Sequence, residues 1–288
     1  MTSLPETADG RYQPLEPIGR GGMGEVYRAR DQVLGREVAL KVLAVEADAA
    51  RLAASLRREA LILARLEHPG IVPVHDAGTL TDGRAFYVMR LVRGERLDQV
   101  ARRATTLGEL LRIFLQLCDA VGFAHAQGVI HRDLKPGNVM VGPFGEVLVL
   151  DWGIAKAGWA EDDGAVLGTP GFMAPEQAGS AGQADQRADV FGLGAILREL
   201  LVAVPDPAPR PLQAVVNRAT ASRPEDRYAT AMGLAEDVRR WLDGEAVSAF
   251  RETVLDQAGR FYRRYQGAIL LVLAYLVMRA MILLWRGV

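Results

Sequence analysis

The sequence is poor in cysteine and shows no excess of charge of either sign. Its one cysteine, Cys118, lies in an apolar run, so no disulfide framework can form, which fits a reducing compartment. We expect Cys118 to be a small buried hydrophobic residue. The 34 Lys and Arg nearly balance the 35 Asp and Glu, so we expect no nucleic-acid partner.

Also missing is a secretory signal. The first six residues, Met-Thr-Ser-Leu-Pro-Glu, show no basic segment followed by an apolar core, and we therefore expect no signal peptide. With 288 residues, the chain can bury a sizeable core in one domain or in two close lobes.

Near the N-terminus, glycines are grouped in a pattern that binds phosphates. Residues 19–26 read Gly-x-Gly-x-x-Gly-x-Val, and glycines at this spacing let the backbone approach a phosphate closely. Dinucleotide-binding folds share the pattern but need a helix after it. Here the spacing instead predicts strands at Val26–Ala29 and Glu37–Val42 around a turn at 31–36. A hairpin covering the phosphates is therefore expected.

A second stretch combines a proton acceptor with metal ligands. Residues 131–138 read His-Arg-Asp-Leu-Lys-Pro-Gly-Asn, and Asp151 follows an apolar strand. An accepting Asp with an Asn and a further Asp downstream is what phosphoryl transfer from Mg·ATP requires. Together with Lys41 in the strand Val-Ala-Leu-Lys, these motifs resemble eukaryotic-like (Hanks-type) bacterial serine/threonine protein kinases from about Tyr12 to Trp241.

The resemblance implies an α+β fold with two lobes, a small β-rich N-lobe with one helix and a larger helical C-lobe. We assign the N-lobe to 12–92 and the C-lobe to 93–243. A basic amphipathic juxtamembrane linker at 244–266 and a C-terminal hydrophobic helix at 267–285 follow.

The same resemblance implies the catalytic roles. Asp133 would accept the proton of the substrate hydroxyl, and Lys135 would neutralise charge on the transferring phosphoryl group. Asn138 and Asp151 would bind Mg²⁺, with Mn²⁺ as the alternative ion.

Lys41 would hold the α- and β-phosphates of ATP. Its expected partner is Glu59, which shares the apolar face of a predicted helix and would need a cation there. The alternative is that Glu59 pairs at the surface with Arg57 or Arg58.

Further residues are expected to contact the nucleotide. Met89 would be the gatekeeper, and the backbone of Arg90 and Val92 would meet the adenine edge; the family commonly has Glu where Arg90 stands. Met140 would floor the adenine pocket, with core packing as its equal alternative. The full nucleotide-binding set comprises Ile18, Gly19, Gly21, Gly22, Gly24, Val26, Ala39, Lys41, Met89, Arg90, Val92 and Met140.

Two departures from the family pattern concern regulation. The family's Asp-Phe-Gly is Asp-Trp-Gly here, and Trp152 should pack near Leu63, at a cost of about 1–3 kcal/mol if its pocket is not enlarged. Residues 154–168 contain no Ser, Thr or Tyr, although Arg132 would normally bind a phosphate on this loop. The acids at 161–163 (Glu161, Asp162 and Asp163) either replace that phosphate or form a solvated acidic loop.

Four further residues are expected to support or line the site. By resemblance, Asp189 would brace the backbone of the catalytic loop, and Arg227 would pair with Glu176. Thr169 is expected to line the substrate site close to Asp133.

The C-terminus suggests membrane attachment. Residues 251–266 are basic and amphipathic, and the eighteen residues of 268–285 are apolar except for Arg279, enough for about 27 Å of helix. We predict that this segment spans the inner or plasma membrane with a cytoplasmic kinase domain. A helix lying in the membrane surface or docking to a partner is the alternative. Only three residues follow Trp285, so no external sensor domain is expected.

The sequence thus predicts a serine/threonine protein kinase that transfers the γ-phosphoryl group of Mg-ATP to Ser or Thr hydroxyls of protein substrates. Lys135 favours Ser/Thr over Tyr, and dimerisation for autophosphorylation is the expected self-association. The alternatives are a membrane-tethered, nucleotide-binding pseudokinase scaffold and a small-molecule kinase. Ala174-Pro175-Glu176 favours protein substrates.

Overall fold

The computed structural model describes residues 4–21, 24–43, 60–104, 106–152, 169–178 and 185–286. Several predicted residues lie outside these ranges, namely Gly22, Glu59, Gly153 and the acids Glu161, Asp162 and Asp163. Within the described residues the chain forms the expected two lobes, a β-sheet lobe followed by a helical lobe.

The first lobe is a five-stranded antiparallel sheet with the order β1-β2-β3-β5-β4. Its strands are β1 Tyr12–Gly21, β2 Gly24–Asp31, β3 Arg36–Leu43, β4 Val74–Thr79 and β5 Ala85–Arg90. Alternate residues of β3, including Val38 and Leu40, are fully buried in a core with Val88, and Lys41 takes the opposite face. The hairpin predicted around the turn after Asp31 is confirmed.

Strand β4 begins at Val74, directly after Pro73. Pro73 has no N–H to donate, which favours a start after this residue. Ile71 forms an isolated bridge with Val149, and the Val149 N–H donates to Gly70 O at 2.9 Å. This contact joins the two lobes behind the site.

The second lobe is mostly helical. Its helices are α1 Leu97–Arg103, α2 Leu107–Ala126, α3 Arg187–Ala203, α4 Arg210–Ala219, α5 Ala231–Leu242 and α6 Val254–Arg286. A small sheet of β6 Glu95–Arg96, β7 Val139–Val141 and β8 Val147–Val149 carries the catalytic stretch, and 3-10 turns form at Pro136–Asn138, Pro175–Ala178 and Pro224–Asp226.

Helix α2 is the centre of the helical core. It begins where the Thr106 hydroxyl accepts the Glu109 N–H at 3.4 Å, and it ends before Gly128, whose φ of +76° suits a C-terminal glycine. Phe114 and Cys118 are fully buried in it. Burial raises the pKa of the Cys118 thiol, so this cysteine is the buried hydrophobic residue that was expected.

Trp152 is accommodated in the core. Its side chain is 2% exposed in the same buried cluster as Leu63, and its ring lies 4.9 Å from that of His131. Its Nε1 has no hydrogen-bond partner among the described residues. The Trp152 ring is therefore packed in the core, near Leu63 as expected.

The packing of the helical lobe continues beyond α5. The carboxylate of Asp237 is buried and accepts hydrogen bonds from the Tyr228 hydroxyl, the Ser248 N–H and hydroxyl, and the Ala249 N–H, at 2.7–3.1 Å. Val247 is buried in the main core, and Phe250 packs against it. We call residues 247–250 the C-terminal clasp.

Helix α6 begins at Val254, inside the linker predicted at 244–266, and continues through the predicted hydrophobic segment at 267–285. The first part of that predicted linker contains the C-terminal clasp. From Leu270 to Trp285 the helix exposes Leu270, Leu271, Val272, Leu273, Tyr275, Leu276, Val277, Met278, Met281, Ile282 and Trp285. In the part of the chain that the structure describes, no helix meets the length and apolarity needed to cross a membrane, in contrast to the predicted span.

Candidate active site

Asp133 lies at the centre of the site, on the loop between α2 and β7, and is 9% exposed. Its carboxylate accepts hydrogen bonds from Lys135 Nζ at 3.1 Å and from the Thr169 hydroxyl at 3.2 Å. Lys135 Nζ also donates to Thr169 Oγ1 at 2.8 Å. The predicted position of Thr169 beside Asp133 is confirmed, and the three side chains form one triangle of hydrogen bonds.

The backbone before Asp133 is held by a buried carboxylate on α3. Asp189 is 1% exposed and accepts the N–H groups of His131 at 2.7 Å and Arg132 at 2.8 Å. Arg132 has a φ of +67°, a conformation that non-glycine residues rarely adopt. The predicted bracing role of Asp189 is therefore confirmed, and the bracing stabilises a strained residue next to Asp133.

His131 connects the catalytic loop to the strand that precedes Asp151. Its Nδ1 accepts the Asp133 N–H at 3.2 Å. The proton must then be on Nε2, which donates to Leu150 O at 2.9 Å. Burial lowers the pKa of His131, so the ring is neutral and serves as a spacer between the two functional segments.

The two predicted metal ligands are brought together by backbone pairing. Leu150 N–H donates to Asn138 O at 2.8 Å, which places Asn138 next to the residue that precedes Asp151. The Asn138 amide nitrogen donates to Asp133 O at 2.8 Å, so its carbonyl oxygen is oriented as a separate acceptor. Asp151 has a φ of +49° and a half-exposed carboxylate.

Lys41 reaches the same place from the sheet. It is 8% exposed on β3, and its Nζ lies 2.7 Å from Asp151 Oδ1 and 5.6 Å from the centre of the Tyr87 ring. Lys41 thus contacts a predicted metal ligand directly. Its predicted partner Glu59 is outside the described residues, and that pairing stays a prediction.

The glycine-containing hairpin lies beside Lys41. Gly24 has a φ of +148°, and a Cβ there would lie 2.0 Å from Val42 O; only glycine fits against β3 at this point. Gly19 pairs with Val26, and Val26 pairs with Lys41. The structure therefore brings the hairpin to the lysine, as predicted.

The residues expected to contact adenine lie on β3, β5, β7 and the connector after β5. Ala39 and Met89 are directly paired between β3 and β5, and Met140 on β7 is partly buried, paired with Arg96. Arg90 ends β5, and Val92 follows it in the connector. Their nucleotide contacts stay predictions.

A buried ion pair closes the base of the site. Arg227, with its side chain fully buried, donates to both carboxylate oxygens of Glu176 at 2.6 and 2.8 Å. Burial alone would raise the pKa of Glu176, but the hydrogen bonds and charge of Arg227 outweigh it, and the net pKa is lowered. The predicted pairing is confirmed.

Two supporting residues were not predicted from the sequence. His125 Nε2 lies 2.7 Å from Asp189 Oδ2, behind the carboxylate that holds the loop. Gln177 is 5% exposed and donates to Arg132 O at 2.9 Å while accepting the Ala174 N–H at 3.0 Å. A polar residue directly after Ala-Pro-Glu was the only signal for Gln177; for His125 there was no signal except its helix.

Lys41 lies on the sheet lobe, and the triangle of Asp133, Lys135 and Thr169 lies on the helical lobe near Asn138 and Asp151. This set of groups is typical of a phosphoryl-transfer site. The family described as "Protein kinase domain" matches residues 12–222. The chain belongs to the protein kinase family.

Relatives and solved structures agree with this assignment. The chain is 33% identical over 293 residues to serine/threonine-protein kinase PknD of Chlamydia pneumoniae, covering 81% of this chain and 31% of PknD. It is 37% identical over 290 residues to PknB of Mycobacterium tuberculosis, covering 86% of this chain and 45% of PknB. The crystal structure of the M. tuberculosis PknI kinase domain matches with a TM-score of 0.65 at 28% identity, covering 81% of this chain and 96% of that one. The chain thus spans less than half the length of these two curated relatives.

Proposed function

We propose that this protein is a serine/threonine protein kinase that transfers the γ-phosphoryl group of ATP to Ser or Thr hydroxyls of protein substrates. The observation that carries the proposal is the Asp133 carboxylate held between Lys135 Nζ and the Thr169 hydroxyl, at 3.1 and 3.2 Å. A carboxylate with a purely structural role does not require both a lysine and a hydroxyl as hydrogen-bond donors. Here both donate to Asp133, at the mouth of the cleft that also contains Lys41.

In the proposed mechanism each residue acts at a defined point. Asp133 orients the acceptor hydroxyl and takes its proton as the oxygen attacks phosphorus and the bond to the leaving ADP oxygen breaks. Lys135 offsets the charge on the transferring group, and Lys41 binds the phosphates that remain on ADP. The hairpin around Gly19 and Gly24 covers the phosphates and excludes water.

The residues present fit a divalent cation of the Mg²⁺ or Mn²⁺ type. Asn138 and Asp151 offer a carbonyl oxygen and a carboxylate, the hard oxygen donors that these ions prefer. Among the described residues no group of three or more His, Cys, Asp or Glu side chains is arranged to hold a metal. The ion would offset phosphate charge when bound, and Asn138 and Asp151 would hold it together with the phosphates.

The decisive experiment is transfer of labelled phosphate from ATP·Mg²⁺ to a generic protein substrate by the full chain. Asp133→Asn should lower the rate by at least about a hundredfold, because it removes the proton acceptor. A Lys41→Met variant should bind nucleotide more weakly. Equal rates for the wild type and Asp133→Asn would refute the proposal, and nucleotide binding without any transfer would favour the pseudokinase scaffold.

We also propose that α6 attaches the kinase to a membrane, with the kinase domain in the cytoplasm. The proposal is supported by the exposed apolar side chains from Leu270 to Trp285 and by Arg260, Arg263 and Arg264 before them, which suit an anionic membrane surface. Flotation of the full chain with anionic liposomes should succeed, and a chain ending at Phe250 should stay in the dense fraction. Equal behaviour of both chains would refute the attachment.

If the enzyme is concentrated on a membrane, its copies meet more often. We therefore infer that one copy phosphorylates another within a dimer. Mixing Asp133→Asn protein with wild type should label the inactive copy, at a rate that rises with membrane density. Labelling only of the wild-type copy would exclude the dimer mechanism.

A further inference from the structure

A cavity of about 380 Å³ opens at the junction of β3, β4 and β5 with the connector. Its lining residues are Arg36, Glu37, His75, Arg90, Leu91 and Arg93. We call it the connector pocket.

The two arginines on the strands of the connector pocket point away from the face of the sheet that carries Lys41. Arg90 pairs with Val38 across β3 and β5, and Arg36 lies two residues before Val38. Side chains alternate along a strand, so Arg36 and Arg90 share the face of Val38, whereas Glu37 lies on the face of Lys41 and Met89. The Arg36 and Arg90 side chains are therefore distinct from the groups of the site described above.

The charges along the lining are unbalanced. Three arginines face one acid, and that acid is already bound, since Glu37 lies 3.0 Å from Arg93 Nη2 and 3.3 Å from Arg28 Nη1. The Arg36 Nε lies 3.6 Å from the buried carboxylate of Asp31. Arg36 and Arg93 thus each lie beside an acid, whereas no acid lies within ion-pair distance of Arg90 among the described residues. Arg90 therefore gives the pocket a net positive charge.

The remaining lining residues suit a phosphate group. Partial desolvation, with the nearby guanidiniums of Arg36 and Arg90, lowers the pKa of His75. At pH 7 the imidazole is therefore neutral and adds a donor without adding charge. Arginine forks match the oxygens of a phosphate in a bidentate manner, and Leu91 provides an apolar wall for the carbon atoms of a carrier.

We propose that the connector pocket binds a phosphate group, with Arg90 and Arg36 as its main ligands. The group is either carried by a phosphorylated Ser or Thr side chain of a protein segment or is free inorganic phosphate, since both present terminal phosphate oxygens with negative charge to the two guanidiniums.

Calorimetric titration of the full chain tests this proposal, in the presence of a saturating non-hydrolysable ATP analogue with Mg²⁺ to occupy the nucleotide cleft. The probes are a short peptide with one phosphothreonine, its unphosphorylated twin, and sodium phosphate at matched ionic strength. We expect the phosphorylated probe to bind and its twin not to bind. Arg90→Gln and Arg36→Gln should each weaken binding about tenfold, the loss of one charge-assisted contact.

The matched control is Arg102→Gln, an arginine on α1 that is 78% exposed and should leave the affinity unchanged. The melting temperature of each variant checks its folding. Should Arg90→Gln fail to fold, Arg93→Gln takes its place, because that side chain is 77% exposed and should also weaken binding.

The measured affinities distinguish a phosphorylated protein segment from free inorganic phosphate as the ligand. A phosphopeptide that binds at least about tenfold more tightly than phosphate assigns a protein segment as the ligand, and equal affinities assign the free anion. The proposal is overturned if neither probe binds, or if the arginine variants bind the phosphorylated probe as tightly as the wild type. The measurement needs no turnover, so its outcome does not depend on the proposed kinase activity.

Discussion

At the scale of single residues, the site depends on buried carboxylates that hold other groups in place. Asp189 receives two backbone N–H groups of the catalytic loop and the ring of His125. Because Asp189 is 1% exposed, water cannot replace its carboxylate as the acceptor for these three groups. The geometry of Asp133 therefore depends on a residue that does not itself touch the reacting atoms.

We predict that Asp189→Ala lowers kcat at least about tenfold and destabilises the fold by about 2–4 kcal/mol, since it leaves buried N–H groups without acceptors. The measurements are steady-state kinetics and urea unfolding. Asp206→Ala, which removes an exposed carboxylate from the loop after α3, is the control and should change neither. A kcat equal to that of the wild type would show that the loop keeps its geometry without Asp189.

The Glu176–Arg227 pair makes stability dependent on pH. Glu176 has a lower pKa in the folded protein than in the unfolded chain, so its contribution is fully present above the unfolded value and is lost as the pH falls through the folded one. Glu176→Gln should cost about 3 kcal/mol at pH 7 because it leaves the buried Arg227 without a counter-charge.

Urea unfolding of wild type and Glu176→Gln between pH 7 and about pH 3 measures this effect. The difference in unfolding free energy should be constant down to about pH 4.5 and should shrink below it. Glu225→Gln is a suitable control, because the ion-pair partner of Glu225 among the described residues is an arginine that is 72% exposed. A difference that stays constant through the acid range would contradict the assigned role of the carboxylate.

At the scale of elements, the glycine-containing hairpin is placed by one steric requirement. A Cβ at Gly24 would lie 2.0 Å from Val42 O and 2.9 Å from Leu43 Cα, both in the backbone of β3. At Gly19 a Cβ would meet only Val26 atoms, at ordinary contact distances near 3.8 Å.

We therefore predict that Gly24→Ala separates the hairpin from β3, lowers the melting temperature by several degrees and raises KM for ATP. Gly19→Ala should leave the melting temperature unchanged. Thermal unfolding of both variants, with KM for ATP measured for Gly24→Ala, is the test. Equal melting temperatures for the two variants would show that β3 can move to accept the extra carbon.

How much the sequence could predict differs between elements. The hairpin follows from a local pattern, the alternation of residues in its two strands around a short turn, and it was predicted closely. The contact between Lys41 and Asp151 joins residues 110 positions apart; the motifs predicted both residues but not their contact. The clasp on Asp237 and the roles of His125 and Gln177 depend on packing that no local pattern encodes.

The connector pocket shows the same limit of local patterns. Arg36 and His75 belong to no motif in the sequence, and Arg90 was expected to act only through its backbone. The pairing of β5 with both β3 and β4 brings them together around one cavity.

At the scale of the whole molecule, the folded unit ends at the C-terminal clasp and not at α5. Removing the clasp would expose the buried core around Val247 and leave the Asp237 carboxylate with Tyr228 as its remaining hydrogen-bond donor among the described residues.

We predict that a chain ending at Phe250 melts at the same temperature as the full chain, whereas one ending at Asp243 melts several degrees lower, since it loses apolar burial and the hydrogen bonds to Asp237. Calorimetry of the three chains is the measurement. Equal melting of the two shortened chains would show that the clasp contributes nothing to stability. Asp237→Asn in the chain ending at Phe250 should reproduce part of the loss.

The clasp also limits the distance between the catalytic cleft and the start of α6. Residues 251–253 are all that separates the clasped Phe250 from the start of α6, and four extended peptide steps span at most about 14 Å. If a membrane holds α6 as proposed, the cleft would work within a limited distance of that surface, set by these three residues and by the part of α6 before Leu270. Acceptor hydroxyls displayed within that distance meet Asp133 at a high effective concentration, while the same hydroxyl on a freely diffusing protein meets it only at its bulk concentration. Proximity, as much as peptide sequence, would then select the substrates.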